Sequence, residues 1–340
     1  MGVALDWFRS YLKKRKQYVK YKHIESDTLE MVCGVPQGSV LGPLLFIIYT
    51  NDLPQNIKTA KCILFADDTT IYQSSNNILH LYTIMNSELE ILNDWFRANK
   101  LSLNATKTHY MFFSRNRILK QNTNNLQIDN TILTRANTVK FLGILIDEDL
   151  TWNAHIEHCR TKICSGIYAL NSSKHCLSSS NLKMLYYSLI HPYLTYGILL
   201  WGSAYKSHLQ KLVTMQKKAI RCITKSRYND HTPSLFRYLM IPNLQDLYKI
   251  ELAKFVYSVV HKNLPFPLID MYTQNNDVHS YNTRNLNNLH IKPFKVDIVF
   301  RSFVHQGPSM WYSLSETIKQ SKSIGHFGSQ LKKLYIKEYI

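Results

Sequence analysis

The sequence predicts an α+β region over residues 1–150 followed by a mostly α-helical remainder. Three observations carry this reading. Short β-rich runs alternate with amphipathic helical stretches up to Leu150, and after it apolar residues recur at helical spacing. Gly and Pro number only 11 and 10, with a hydrophobic fraction of 45%, which is globular and not disordered composition. Lys and Arg (41) outnumber Asp and Glu (23), and the net charge of +18 points to a polyanionic partner through counterion release at phosphates. Within 340 residues there is room for about two or three domains.

The elements follow in order. Leu5, Phe8 and Leu12 have helical spacing, so the chain opens inside a helix with no capping residue ahead of it. "YLKKRKQYVKYK" then carries six basic residues and no acid. It reads as a solvated charged face or, with Tyr11, Tyr18 and Tyr21 interleaved, as a nucleic-acid contact where rings stack and cations meet phosphates. Thr28–Cys33 reads as a strand, broken by Gly34, Pro36 and Gly38 in "GVPQGS". A helix with Pro43 in its first turn runs through "LLFIIY" and ends before Pro54.

Cys62–Ala66 and Thr69–Tyr72 form two strands flanking Asp67 and Asp68, the pattern of a two-residue hairpin. Ile78, Leu81, Met85, Leu89, Leu92 and Phe96 recur at spacings of 3 and 4, an amphipathic helix. Strand-like segments lie at His109–Phe113, around Ile128 and Ile132, and at Val139–Ile146. Beyond Leu150, Leu182, Leu185, Tyr186 and Leu189 form one helical stripe with Ser180 or Asn181 as its cap. Leu209, Leu212, Val213, Ile220 and Ile223 form another. On that helix Lys217, Arg221 and Lys225 repeat every four residues and Lys211, Lys218 and Lys225 every seven, so its polar face is a cationic ridge. An Asn-, His- and Tyr-rich loop from about Asn275 to Pro293 and a Lys-rich helical tail close the chain.

Several classes are excluded. The longest apolar run, Val40–Tyr49, contains Gly42 and Pro43 and is shorter than the roughly 18 residues that a bilayer span needs. "MGVALD" carries neither a secretory pattern nor the Ser or Thr of a myristoylation signal. Six scattered Cys without a secretory signal indicate reduced thiols inside the cell.

Adjacent carboxylates at a hairpin tip are either an ordinary acidic turn or ligands for a hard cation. Nucleotidyl transfer uses two Mg²⁺ ions about 3.5–4 Å apart, and carboxylate oxygens held rigidly in a tight turn can serve them. The surroundings favour the second account. "GVPQGSVLGPLLFIIYTNDLP", then "ILFADDTTIY", "LSLNATKTHYMFF" and "VKFLGILID" resemble the ordered palm motifs of reverse transcriptases. "WFRSYLKKRKQYV", "LTWNAHIEHC", "LYYSLIHPYLTYGILLWG", "HSYNTRNLNNLHI" and "QGPSMWYSL" resemble, more narrowly, the jockey-like non-LTR retrotransposon enzymes.

The resemblance implies an α+β palm of the polymerase right-hand type over 1–150, with an antiparallel sheet, packed helices and the fingers largely missing. A helical thumb over 151–230 and a C-terminal helical region over 231–340 would follow. Asp67 would ligate metal, supported by Asp68, with Mg²⁺ as cofactor and Mn²⁺ as its alternative. Phe65 would lie under the primer end or incoming nucleotide, and Gln37 and Gly38 by the template base and nucleotide. Lys107 would give a proton to departing pyrophosphate, or it is a surface lysine beginning a strand. Phe141, Leu142 and Gly143 would form the primer grip, or a buried strand. Lys211, Lys217, Lys218, Arg221 and Lys225 would track the duplex backbone. The implied partners are an RNA template, a DNA primer and deoxynucleoside triphosphates, with no membrane, and the implied location is the nucleus.

One part of the pattern is not found. The family's first catalytic aspartate precedes the segment corresponding to "WFRSYL", and before Gly34 only Asp6, on the opening helix, and Asp27, in a polar turn, occur. Neither can be carried over as that ligand. The expectation is therefore an N-terminally truncated enzyme, inactive alone, for which the losses of fingers and endonuclease are further signs. The alternative is a non-catalytic, polymerase-derived nucleic-acid-binding remnant. A zinc module at His155, His158, Cys159 and Cys164 is a third reading, disfavoured because "HIEHCRTKIC" has no Cys-x-x-Cys pair and suits one face of a helix.

Overall fold

In this computed structural model, which describes residues 2–31, 34, 35, 38–121, 124–278, 288–291, 293, 294 and 296–339, the chain forms two units. The first comprises Met1–Tyr110 with Asn116–Arg135, and the second Met111–Arg115 with Ala136–Ile340. The chain thus leaves the first unit after Tyr110, returns at Asn116 and leaves again after Arg135.

The first unit opens with helix α1 (Val3–Leu12), then strands β1 (Arg15–Gln17), β2 (Lys20–Tyr21), β3 (Ile24–Glu25) and β4 (Leu29–Met31). β1 pairs antiparallel with β4 and β2 with β3, a small ribbon whose basic strands leave most side chains in solvent. Helix α2 (Gly42–Thr50) has Pro43 in its first turn, as expected, and α3 (Leu53–Asn56) follows directly. β5 (Lys61–Phe65) and β6 (Asp68–Tyr72) make the expected hairpin.

Helix α4 (Ile78–Ala98) is the spine of this unit. Asn77 caps it, its side chain accepting from the amides of Leu79 at 2.9 Å and His80 at 3.2 Å. One stretch of the apolar stripe meets Leu126, Ile128 and Leu133 around Tyr82 and Leu89. The other meets Leu53 and Ile57 around Leu92 and Trp95, with Cys62, Leu64 and Ile71 of the hairpin beside them. Short elements complete the unit: β7 (His109–Tyr110), helix α5 (Arg117–Gln121), β8 (Gln127–Ile128), β9 (Thr131–Ile132) and β10 (Thr134–Arg135). The strand expected over His109–Phe113 stops at Tyr110 because its pairing with β10 covers only two residues. Among the described residues every sheet is two-stranded, and only β7 and β10 pair in parallel.

The second unit starts with the hairpin β11 (Thr138–Phe141) and β12 (Ile144–Asp147), turned at Leu142 and Gly143, whose φ values are +45° and +84°. Helices α6 (Asn153–Ser173), α7 (Ser179–Leu189), α8 (His191–Thr195), α9 (Ile198–Trp201), α10 (Lys206–Thr224), α11 (Pro233–Leu239) and α12 (Leu244–Val260) follow. The cap of α7 is Ser178 and not Ser180 or Asn181. Its backbone is extended, and its hydroxyl accepts from the Asn181 amide at 3.3 Å. α6 and α10 pack along their lengths around Ile156, Ile163, Leu170, Leu212 and Ile220. Gln216, fully buried on α10, donates through Nε2 to the Tyr186 hydroxyl and the Pro242 carbonyl, both at 3.0 Å, while its Oε1 has no partner among the described residues. A second core joins α12 to the helices Phe303–Tyr312 and Ile324–Lys337 through Tyr257, Trp311, Phe327 and Leu331. Of the loop expected from Asn275 to Pro293, Asn275–Val278 instead forms one helical turn, and residues 279–287 and 292 lie outside the described residues. Among the described residues no helix is long and apolar enough to cross a membrane.

Candidate active site and nucleic-acid interface

The register of the first-unit hairpin decides where the carboxylates point. Phe65 pairs with Asp68, so the turn is Ala66–Asp67 and Asp68 is the first residue of β6. The sequence reading had both aspartates in the turn. The one-residue shift follows from Ala66, whose φ of +51° closes the turn early. Because side chains alternate along a strand, Lys61, Ile63 and Phe65 share one face with Asp68, Thr70 and Tyr72, while Cys62, Leu64, Thr69 and Ile71 share the other. The second face packs on α4. The first is open: Phe65 is 58% exposed, and Asp67 and Asp68 are both exposed. An aromatic ring and a carboxylate therefore sit side by side beneath a second carboxylate at the tip.

A residue that the motifs do not mark anchors the approach to this hairpin. Glu88, 2% exposed on α4, accepts from the amides of Lys58 (3.1 Å), Thr59 (2.6 Å) and Ala60 (3.4 Å) and from the Thr59 hydroxyl (2.5 Å). Burial alone would raise its pKa, but the bonds from Thr59, Lys58 and Ala60 outweigh it and hold the carboxyl below the ordinary value. The signal was available: Glu88 stands three residues after Met85 and four before Leu92, an acid inside an apolar stripe.

The other candidates of the first unit are spread along it. Gly38 has φ +81°, a conformation that favours glycine, and the space where a Cβ would stand is open. Gln37 lies outside the described residues. Lys107 ends a single 3₁₀ turn, Ala105–Lys107, in which the Asn104 side chain accepts from its amide at 3.2 Å. Its side chain is exposed, and among the described residues no hydrogen bond or ion pair links it to either aspartate. Among those residues, too, no three His, Cys, Asp or Glu side chains gather as metal ligands. The donor set is thus two exposed carboxylates, hard oxygens of the type that Mg²⁺ accepts together with substrate phosphates and water.

Phe141, Leu142 and Gly143 lie in the second unit, where they form a held turn. The Tyr196 hydroxyl donates to the Leu142 carbonyl at 2.5 Å, and a Cβ on Gly143 would meet the Tyr196 ring at 3.3 Å. Trp201 Nε1 donates to the Tyr196 carbonyl at 2.9 Å. Gly197, at φ +61°, lies under Ile144, whose Cδ1 would be 2.3 Å from a Cβ there. His155 Nδ1 accepts from the Leu145 amide at 3.3 Å. Burial, with the nearby His158 second, pushes the His155 pKa down to about 4, so the ring is a neutral acceptor. Its other nitrogen faces Cys159 Sγ at 3.5 Å, and burial pushes that thiol up to about 11. Tyr196 and Gly197 were legible only as "TYG" ahead of an apolar run, with nothing in spacing to pair them with Leu142.

The cationic residues of α10 divide. Lys211 Nζ binds Glu157 Oε1 at 2.5 Å, and Arg221 Nε donates to the Asp230 carbonyl at 3.0 Å, so these two serve the fold. Lys217, Lys218 and Lys225 make no ion pair among the described residues, and Lys225 caps the helix at φ +55°. The expected ridge is therefore interrupted by partners on α6 and on the turn after α10, which the spacing of lysines along one helix cannot reveal.

A family model for reverse transcriptase (RNA-dependent DNA polymerase) matches residues 1–146. Residues 1–146 belong to the reverse transcriptase family. The match spans the carboxylate hairpin, the glycine turn before α2, Lys107 and both strands of the β11–β12 hairpin up to Ile146. Curated relatives extend the likeness into the helical unit. A probable RNA-directed DNA polymerase from transposon X-element of Drosophila melanogaster is 30% identical over 246 residues, 70% of this chain and 27% of that protein. The RNA-directed DNA polymerase from mobile element jockey of the same fly is 28% identical over 267 residues, 75% of this chain and 29% of its own length. The corresponding protein of transposon BS is 29% identical over 249 residues, again 70% of the chain and 27% of the relative. The chain therefore spans little more than a quarter of the length of these relatives. A reverse transcriptase segment of this lineage accounts for a polymerase-type α+β unit of helices and small, mostly antiparallel sheets.

Proposed function

We propose that this chain serves RNA-directed DNA synthesis in a jockey-like non-LTR retrotransposon, and that Asp67 and Asp68 carry its metal site. The observation that supports this most is the pair of exposed carboxylates at a rigid hairpin tip, with Phe65 beside Asp68 on the open face, inside the reverse transcriptase match. Asp67 and Asp68 would hold Mg²⁺, or Mn²⁺ in its place, and the bound ions would supply charge stabilisation at the transferring phosphoryl group. Phe65 offers a flat surface for the nucleotide or primer end. Gly38 lets the backbone approach the template base closely, with Gln37 as its neighbour in sequence. Lys107, an exposed ammonium without an ion-pair partner among the described residues, holds the proton that departing pyrophosphate takes up. The turn at Phe141, Leu142 and Gly143 grips the primer. Lys217, Lys218 and Lys225, with Lys211 and Arg221 bracing their helix, meet the duplex backbone as part of a thumb. Under this reading residues 1–150 form a palm, 151–230 a thumb and 231–340 a C-terminal helical region, acting on RNA template, DNA primer and deoxynucleoside triphosphates in the nucleus.

By itself the chain is proposed to turn over poorly. Two carboxylates without a third ligand position the attacking and leaving oxygens weakly, and no third gathers beside them among the described residues. This favours a second reading, a nucleic-acid-binding remnant without catalysis, for the chain acting alone. A primer-extension assay with an RNA template and Mg²⁺ separates the two. The chain alone is expected to incorporate no more than its Asp67→Ala variant. Joined behind a reverse transcriptase segment that carries the third aspartate, it should extend the primer, and Asp67→Ala should abolish that extension. Equal extension by the joined Asp67→Ala protein would overturn the assignment of the metal site.

A further inference from the structure

Fifteen residues between α10 and the end of α11, "KSRYNDHTPSLFRYL" from Lys225 to Leu239, combine three cations and two tyrosines with one acid. The acid is used internally. The Asp230 carboxylate accepts from the Arg227 amide at 2.7 Å, and its carbonyl accepts from Arg221 Nε at 3.0 Å, which fixes the turn. Phe236 and Leu239 are buried and root α11 in the core. What remains outside is basic and aromatic. Tyr228 and Tyr238 are each 75% exposed, and Lys225, Arg227 and Arg237 are exposed and make no ion pair among the described residues.

Beside the first turn of α11 opens a cavity of about 260 Å³, lined among others by Lys217, Thr232, Pro233, Phe236 and Asn243. Thr232 is 3% exposed, yet its hydroxyl caps no helix and makes no other hydrogen bond among the described residues. Lys217 likewise has no ion-pair partner there. The Thr232 hydroxyl, open to this cavity, and the Lys217 ammonium beside it are two donors that an oxyanion can accept from.

We propose that the α10–α11 turn is a binding site for an unpaired nucleic-acid strand, with bases stacked on Tyr228 and Tyr238 and phosphates met by Lys225, Arg227, Arg237 and, in the cavity, Lys217 and Thr232. The strand is unpaired because exposed rings need free base faces, and a duplex keeps those faces stacked inside. An acidic protein segment would meet the same cations but leave both rings without a role. The site shares Lys217 and Lys225 with the proposed duplex-facing helix but needs neither Asp67 nor any metal, and Tyr228 and Tyr238 belong to it alone, so the tyrosine variants test it apart from the polymerase reading.

The test is fluorescence anisotropy on the whole chain in EDTA, with labelled oligothymidylate and oligouridylate of about 15 nucleotides, the upper range of single-strand site sizes, against a blunt duplex of equal length. Tyr228→Ala and Tyr238→Ala should each weaken single-strand binding about five-fold or more, the low end of what stacking on one ring contributes, and leave the duplex within about two-fold. Tyr228→Phe and Tyr238→Phe should keep the wild-type affinity. Lys217→Gln should weaken it and flatten its salt dependence. Both tyrosines stand outside the core, so their loss leaves folding intact, as circular dichroism would verify. Unchanged single-strand binding by the double alanine variant, equal losses on duplex and single strand, or full competition by polyglutamate would each overturn the proposal. Whether the DNA or the RNA oligomer binds more tightly identifies which strand the site serves.

Discussion

The two units solve the problem of burial differently. In the second, long helices enclose Trp201, Tyr186, Ile163 and Leu212 completely. In the first, a single long helix supports two small clusters, and one face of the β5–β6 hairpin, much of α2 and all of α1 remain in contact with solvent. The helical unit is a scaffold that holds its candidate primer-grip turn by packing. The α+β unit offers its candidate site residues on an open surface and relies on a few polar anchors. Stability should therefore be concentrated in the second unit and chemistry in the first.

Substitutions can break this contrast, and the largest effect is expected in the helical core. Trp201→Ala should destabilise by about 3–5 kcal/mol, since it empties a closed site and removes the bond that braces Tyr196. Ile47→Ala on α2, at an exposed position, should change stability by less than about 0.5 kcal/mol. Thermal and denaturant unfolding of both variants would measure the difference, and similar losses would end the contrast.

An intermediate effect is expected at His155. Burial holds its folded pKa at about 4, below the ordinary 6.5 of a histidine. The neutral ring's contribution is complete above 6.5 and is lost as pH falls from there toward 4, because the unfolded chain binds the proton more readily. The loss should reach about 2–3 kcal/mol, and His155→Gln should flatten that part of the stability–pH curve. Glu88 sharpens the comparison from the other side. Glu88→Leu strands the donors of residues 58–60 and should cost about 2–3 kcal/mol, a large share of what a thinly packed unit can hold. Its lowered carboxyl pKa means that the wild-type anchor is complete above the ordinary carboxyl range and fades as pH drops below it. Loss of amide protection at Thr59 and Ala60 in hydrogen exchange would report it. A smaller effect, of opposite sign, belongs to the turn itself: Ala66→Gly, at φ +51°, should gain about 0.5–1 kcal/mol in the same unfolding assays.

The sequence was legible wherever a local rule sufficed. Apolar spacing found α4, α7 and α10, Pro43 found the start of α2, and two β-rich runs around Asp67 found the hairpin. Legibility failed where the partner is distant in the chain. Nothing local pairs Tyr196 with Leu142, Glu88 with Thr59, or Lys211 with Glu157, because each bond depends on which helix faces come together. It failed also by single residues, at Ala66 and Ser178, where the choice rests on backbone conformation and not on residue type.

The excursion of residues 111–115 out of the first unit has a consequence for how the protein is made. Tyr82 and Leu89 emerge from the ribosome early, but the Leu126, Ile128 and Leu133 that cover them come only after that excursion. At about 5–20 residues per second, this face of α4 waits for seconds as a nascent surface. In that interval the face is open to whatever binds apolar surface on nascent chains.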